Sequence, residues 1–390
     1  MNKKIFFILF VLFTLCKCSN PAVKEQEELL VFDFAQALKN ERKEVMISEI
    51  ADSVEYLVLH TPRGVIVSRI RKIIFFEDYL YVWASRSRHQ LFLFSKTGQF
   101  ISTIGSQGRG PGEYIIVSDF VIDEKRREVV VSSTSNLIHY SLEGKYLYNS
   151  LRDCQTKKIA FSDTLLWCTT YLTIFEKNAA IAISPQEDTI VVIPNPLFGK
   201  ESFNGHWQYT IGKGQNVFYN YSDNLFYTDG DNLNDTIYKV KGSNLEPYAY
   251  LDMGRYKLPM EYRIEISNEM YQRHGENFYY ADAIGEDHKN IYFTVSKHKH
   301  KAQNLFLVFD KKTGSGFSFE SGFADDVHKG PYFILRDVSD DYYIGWIEAE
   351  DIIDMEYNET ILSPQYKHFL STINEETNEL IILCRKKQGY

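Results

Sequence analysis

The chain is poor in the residue patterns that declare a chemistry. Its 390 residues hold five cysteines, and no CxxC pair occurs, so neither a disulfide framework nor a zinc ribbon organises it. Three cysteines lie in the body: Cys154, Cys168 and Cys384. Cys154 and Cys168 flank one expected strand connection and are the candidates for a pair in an exported chain; buried free thiols are the other reading. Positive charge is also scarce. Lys and Arg number 43 against 52 Asp and Glu, a net charge of −9, and the basic stripe that nucleic acid requires is missing. No GxSxG elbow and no HExxH helix occurs, so no Ser, Cys or His is forced into a nucleophilic role and no cofactor is implied. Long apolar runs are lacking too. The N-terminal run Ile5 to Leu15 spans about 11 residues, too short to cross a bilayer.

That run is a targeting signal. Lys3 and Lys4 precede it and the polar stretch SNPAVKEQEE follows, the order of a signal peptide. Residues 1–15 are therefore expected to be a leader, and 16–46 a polar, acidic tether with one apolar patch, LLVFDFAQAL at 29–38. A cysteine directly after such a run resembles the lipobox of bacterial lipoproteins. The resemblance implies lipidation of Cys16, with Cys18 as the alternative, and a membrane partner reached through the lipid.

What the body has in abundance is aromatic residues, 15 % of the chain, arranged in a recurring strand-turn-strand unit. Copies read DYLYVWASRSRHQLFLFSKTGQF (78–100), REVVVSSTSNLIHYSLEGKYL (127–147), DNLFYTDGDNLNDTIYKVKGSNL (223–245) and KNIYFTVSKHKHKAQNLFLVFDKKTGSGF (289–317). Aromatic and β-branched runs broken by polar turns suit half-buried strands, and their repetition predicts a β-propeller. Gly98 and Gly144 sit in matching frames 46 residues apart, and Gly242 lies 98 further on, about two such periods. One diverged blade then fits 157–194. A weaker sixth combines 332–352 with 378–387, with a seventh only if strands lie in 196–222; 258–278 reads as a helix or a long loop, and a helical excursion is expected at 363–378. The expectation is one six-bladed all-β propeller over 47–390. Val54, Tyr56, Val58 and His60 alternate with Glu55, Leu57 and Leu59, so 53–59 is expected to be a strand that pairs near 378–386 and closes the last blade.

The sharpest local motif is GRGPGEY, Gly108 to Tyr114. Three glycines and a proline specify a tight turn. A phosphate cradle would need a helix and a Lys-Ser/Thr pair after it, but YIIVSDFVID follows, a strand. The loop is expected to be architectural, built on Gly110 and Gly112, with Arg109 or Glu113 tying neighbouring blades. The order of strand pairs, this loop and the run PYAYLDMGRYKLP (247–259) resemble the six-bladed, NHL-like β-propeller lipoproteins of Bacteroidetes. The resemblance covers about 47–386. It implies export and a lipid anchor and carries over no catalytic residue.

Other candidates have bland readings beside them. His298 and His300 would share one strand face as metal ligands, or belong to a solvated hairpin loop. Asp229, Asp231, Asn234 and Asp235 offer oxygens to calcium, yet Val240 stands where an EF-hand needs Glu; no metal site is expected. Glu348, Glu350, Asp351 and Asp354 form a carboxylate cluster suited either to glycoside chemistry or to a solvated rim. Asp52-Ser53-Val54, Asp163-Thr164-Leu165, Asp188-Thr189-Ile190 and Asp235-Thr236-Ile237 look like acceptor sites for O-glycosylation in Bacteroidetes, a pattern that turn-to-strand junctions also generate. The function expected is that of a non-enzymatic binding module in the cell envelope, at the outer membrane, presenting a face to a glycan, a peptide or an uptake complex. A polysaccharide lyase or hydrolase working at the channel mouth is the alternative.

Overall fold

A computed structural model of the protein describes residues 29–85, 89–151, 155–170, 175–199, 218–228, 234–259, 273–297 and 305–387. Among these residues six sheets of four or five strands follow one another along the chain. They are the blades of a six-bladed β-propeller. Blade 1 runs from Ile70–Phe76 to Phe100–Ile104, blade 2 from Asp119–Asp123 to Tyr146–Leu151, and blade 3 from Thr156–Ser162 to Thr189–Pro194. Blade 4 runs from Phe218–Tyr221 to Asn244–Asp252 and blade 5 from Tyr279–Glu286 to Gly316–Glu320. Blade 6 combines Asp337–Val338, Tyr342–Ile347 and Leu380–Lys386 with Ala51–Leu57. The first strands of blades 2 to 6 each pack on the next, as strands around a propeller axis do. The repeated glycines occupy the turns between third and fourth strands at positive φ: Gly98 at 80°, Gly144 at 88°, Gly242 at 57° and Gly314 at 69°. Side chains are rarely tolerated there, which is why the sequence period shows best at those points.

Closure is by the N-terminal strand. Ala51–Leu57 lies antiparallel to Leu380–Lys386, with Val54 opposite Cys384 and Tyr56 opposite Ile382. An early and a late strand thus complete one sheet, in which Ala51–Leu57 is the outer strand and covers the edge of Leu380–Lys386.

The segment before it corrects the expectation of a tether. Residues 30–46 form a belt on the outer rim. Leu30–Asp33 adds a fifth strand to blade 4, parallel to its outer strand, with Leu30 opposite Ala249 and Asp33 opposite Asp252. The short helix Phe34–Lys39 follows, capped by the Asp33 carboxylate, which accepts the Gln36 N–H at 2.8 Å. Phe32 and Phe34 are fully buried. Phe32 stacks on Phe309 of blade 5 at 4.8 Å between ring centroids, and Phe34 meets Tyr256 and Tyr279. Each such burial stabilises the fold by about 1.5–3 kcal/mol. The chain then follows blade 5, where the Arg42 N–H donates to the Ser318 carbonyl at 2.8 Å and the Ile47 N–H to the Ala324 carbonyl at 2.9 Å. It reaches blade 6 at Ala51. The helical excursion of blade 6 consists of Ala349–Ile353 and Pro364–Leu370. Of the excursion expected at 258–278, residues 260–272 lie outside the described residues, and the rest includes α-helical residues 273–274 running into the 3-10 turn Gly275–Asn277.

Candidate functional site

Three charged side chains meet at one end of the axis, on the first strands of blades 1, 2 and 3. Lys72, Asp119 and Lys158 occupy the same rung: their partners across to the second strands are Trp83, Ser132 and Thr169. The ladders of blades 1 and 3 slip at the same place, between Ile70 and Lys72 and between Thr156 and Lys158. Bulges of this kind re-aim the side chain that follows, and here both lysines converge on Asp119. The Lys72 ammonium donates to Asp119 Oδ1 at 3.0 Å and to the Phe120 carbonyl at 2.8 Å. Asp119 Oδ2 accepts the Ile159 N–H at 3.0 Å. One buried carboxylate therefore ties three blades together, and both its oxygens are engaged.

Lys158 is different. Its ammonium stands 5.6 Å from the Trp83 ring centroid, and no carboxylate bonds it among the described residues. Burial lowers its pKa; Asp119 pulls the other way, while Lys72, Lys157 and Arg71 press it down further. Arg71 is exposed and donates through Nε to Ser85 at 2.8 Å. Around this group, Trp83 Nε1, His89 Nδ1 and Ser132 Oγ are buried with no hydrogen-bond partner among the described residues. Burial and the nearby Arg71 keep His89 below its ordinary pKa. Asp337, on the first strand of blade 6, is raised by burial and drawn back by Lys72 and Lys386.

The seam between blades 6 and 1 holds a second acidic group. Glu379 is 5 % exposed and its Oε2 accepts the Ile70 N–H at 2.5 Å. Burial pushes its carboxyl up to about 7, opposed by that N–H and by Arg336 and reinforced by Glu348. Glu348 itself accepts from Ser68 Oγ at 2.6 Å and from the Arg69 N–H at 3.3 Å. At the opposite end of the strands the charges are largely paired, though Glu286 Oε1 is also buried with no hydrogen-bond partner among the described residues. Tyr292 and Tyr343 both donate to Asp287 Oδ2 at 2.6 Å, and Tyr248 and Lys311 satisfy Glu286 Oε2 at 2.6 and 3.0 Å.

The residues singled out from sequence fall elsewhere. GRGPGEY joins blades 1 and 2 and folds on itself. Glu113 Oε2 accepts the Gly110 N–H at 2.7 Å, and the Gly108 N–H donates to the Tyr114 carbonyl at 3.0 Å. A side chain at Gly108 would collide with the Glu113 carboxylate. Gly112 has φ +72°, and a Cβ there would stand 2.9 Å from Tyr146. The expected tie between blades through Arg109 or Glu113 is corrected. Arg109 is exposed and bonds nothing among the described residues, and Glu113 bonds within the loop. Tyrosines make the tie instead: Tyr114 donates to the Ile104 carbonyl at 3.2 Å and Tyr140 to the Gly112 carbonyl at 2.9 Å.

Within the acidic cluster, Glu348 is spent on blade 1, and Glu350 and Asp351 lie in the helix Ala349–Ile353. His298 and His300 lie outside the described residues, as do Asp229 and Asp231 and also Cys16, Cys18 and Cys154. Asp235 pairs with Lys257 at 2.9 Å. Among the described residues no three His, Cys, Asp or Glu come together as a metal site, and no helix is long and apolar enough to cross a membrane. Thr164 and Thr189 of the possible acceptor sites are exposed, whereas Asp235 is buried. The Lys72–Asp119–Lys158 rung was missed because each residue looks ordinary alone. The signal was present: charged residues 47 and 39 positions apart, one in the first strand of each of three successive repeats.

Comparison with known proteins agrees on the fold. A Bacteroides fragilis protein described as exported superimposes with a TM-score of 0.72 at 20 % identity, over 92 % of this chain and 100 % of its own. BamB from Moraxella catarrhalis matches at 14 % identity over 69 % of this chain and 67 % of its own, with a TM-score of 0.37. The extracellular domain of a one-component system from B. thetaiotaomicron matches at 10 % identity, over 71 % and 30 %, with a TM-score of 0.39. No curated protein matches. A family model, the domain of unknown function DUF4934, matches residues 29–385, the belt and all six blades, and the chain belongs to that family.

Proposed function

We propose that the protein is an exported binding module, tethered to the envelope by lipid and presenting one mouth of the propeller axis to a polar ligand. The observation that carries this reading is the rung of Lys72, Asp119 and Lys158, with buried polar atoms beside it that the described residues leave unpartnered. Polar groups left in this state favour a ligand that completes them. A scaffold of this kind places its function in such a site and not in its fold. Glycan, peptide or an outer-membrane uptake complex fits a face of mixed charge and aromatic rings, and the exported relative from Bacteroides fragilis supports the address. The NHL-like lipoprotein resemblance adds the anchor at Cys16, or at Cys18. Arrays of glycans and peptides probed with the purified protein test the binding; a ligand whose binding is indifferent to Lys72→Met and Lys158→Met would place the site elsewhere. Release of Cys16→Ser from membranes into the soluble fraction tests the anchor. Retention of Cys16→Ser with release of Cys18→Ser would move the anchor to Cys18, and retention of both would remove it.

The alternative, a polysaccharide lyase or hydrolase, draws on Glu379, a carboxyl poised near neutral pH as a general acid requires. Its engagement with the Ile70 N–H and its burial argue for a structural role. Turnover of a polysaccharide that is abolished in Glu379→Gln would reverse that judgement.

A further inference from the structure

The rung has a sign as well as a place. We propose that the mouth between blades 1 and 3 is an anion subsite, in which Lys158, supported by Lys72 and Arg71, takes an oxyanion group of the ligand. This deepens the binding reading and rests on it.

The argument is one of charge balance in a confined space. Among the described residues three cations, Arg71, Lys72 and Lys158, lie at this mouth; Lys72 bonds Asp119 and also acts on Asp337, Arg71 donates to Ser85, and Lys158 has no carboxylate bonded to it. Asp119 has no capacity left for Lys158, since Oδ1 takes the Lys72 ammonium and Oδ2 the Ile159 N–H. The excess of positive charge sits in a protein of net charge −9, so it is local and not a general property of the surface. Lys158 is half-buried, with only the Trp83 ring beside its ammonium; a partly desolvated ammonium without a counter-ion is costly, and a bound anion reduces that cost. Donors for its oxygens are at hand. The Trp83 indole N–H belongs to a side chain 5 % exposed, directly across the ladder from Lys72, and has no partner among the described residues. Ser132 Oγ, across from Asp119, is fully buried and has no hydrogen-bond partner among the described residues. The Trp83 ring lies 5.6 Å from the Lys158 ammonium, and Ser132 sits on the same rung of blade 2 as Asp119. Carboxylate, sulfate and phosphate share this chemistry. A uronic acid, a sulfated sugar and free inorganic anions are its sources.

The test uses the purified protein with inorganic phosphate, inorganic sulfate, a galacturonate trimer and a neutral galactose trimer, at constant ionic strength, read by calorimetry and by the ligand-induced rise in Tm. At least one charged probe is expected to bind, more weakly as NaCl rises, and about tenfold more weakly in Lys158→Met. The exposed Arg71→Gln keeps the question open if Lys158→Met does not fold; it should weaken the same probe severalfold. Lys145→Gln, on an exposed turn at the other end of blade 2, should change nothing. Preference for the trimer over the free ions assigns a glycan acid, and equal binding assigns a small oxyanion. Binding of no charged probe, or binding untouched by both variants, overturns the proposal. A neutral array ligand lost in Lys72→Met but bound normally by Lys158→Met and Arg71→Gln would overturn the anion subsite while sparing the binding module.

Discussion

Blades 4 to 6 and blades 1 to 3 are built from the same four-stranded unit but treat their outer edges differently. The belt covers the first group. Its strand extends blade 4, its helix packs on blade 5, and Ala51–Leu57 completes blade 6. On those outer strands Ala249, Leu251 and Phe319 are 0–3 % exposed. On the outer strands of blades 1 to 3 only the chain at His60 pairs with an outer strand among the described residues, at the start of Phe100–Ile104, and Ile101, Leu147, Ile190 and Val192 are 41–52 % exposed. An open edge is usually a liability. The contrast teaches that stability and function are separated around the ring. The belted half spends buried apolar surface on holding the ends of the chain. The charged rung lies in the other half, on blades 1 to 3.

Removing the belt should have the largest effect. Deletion of 29–46 is expected to expose the rim of blades 4 and 5 and to abolish cooperative unfolding in urea. The single change Phe34→Ala should cost about 3–5 kcal/mol, the range for a buried aromatic. Val192→Ala, on the bare outer strand of blade 3, should stay within about 0.5 kcal/mol. Equal costs at the two sites would erase the distinction between the halves.

Next comes the loop between blades 1 and 2. Gly112→Val places a Cβ at φ +72° against Tyr146 and should lower stability by about 1–3 kcal/mol through backbone strain. A melting temperature unchanged in this variant would show that the loop does not hold the unbelted half together.

A pH titration sharpens the seam where the halves meet. The Glu379 carboxyl is raised to about 7 in the folded protein from 4.5. The folded state then binds the proton more tightly, so this group's stabilisation is complete below pH 4.5 and is lost as pH rises towards 7. Glu379→Gln keeps an acceptor for the Ile70 N–H and cannot titrate. Its stability relative to the parent should rise across that window, by up to about 3 kcal/mol. A difference independent of pH would exclude a titrating Glu379.

The smallest effect is expected at Arg109. It is exposed and unbonded among the described residues, so Arg109→Ala should shift stability by less than about 0.5 kcal/mol. A larger loss would mean that the tie between blades 1 and 2 runs through this side chain after all, and not through Tyr114 and Tyr140.

The propeller was legible in the chain because its determinants are local. Alternating aromatic strands and glycines at positive φ recur at the blade period, and each is set by neighbours a few residues away. The closing strand was legible for the same reason, from the alternation around Val54 and Tyr56. The belt was not. LLVFDFAQAL is short, flanked by polar residues and without a hairpin partner, and its strand becomes one only by pairing with Asn244–Asp252, more than two hundred positions away. The rung was hidden in a similar way. Lys72, Asp119 and Lys158 are ordinary surface types until ring closure and two bulges aim them at one another. Sequence alone determined the repeating unit and the strand that closes it, since these follow from short-range periodicity, while a seventh blade stayed open until the structure set the number at six. Tertiary structure alone decided which residues cover the rim and which charges meet at the axis, since burial and charge balance depend on contacts between blades.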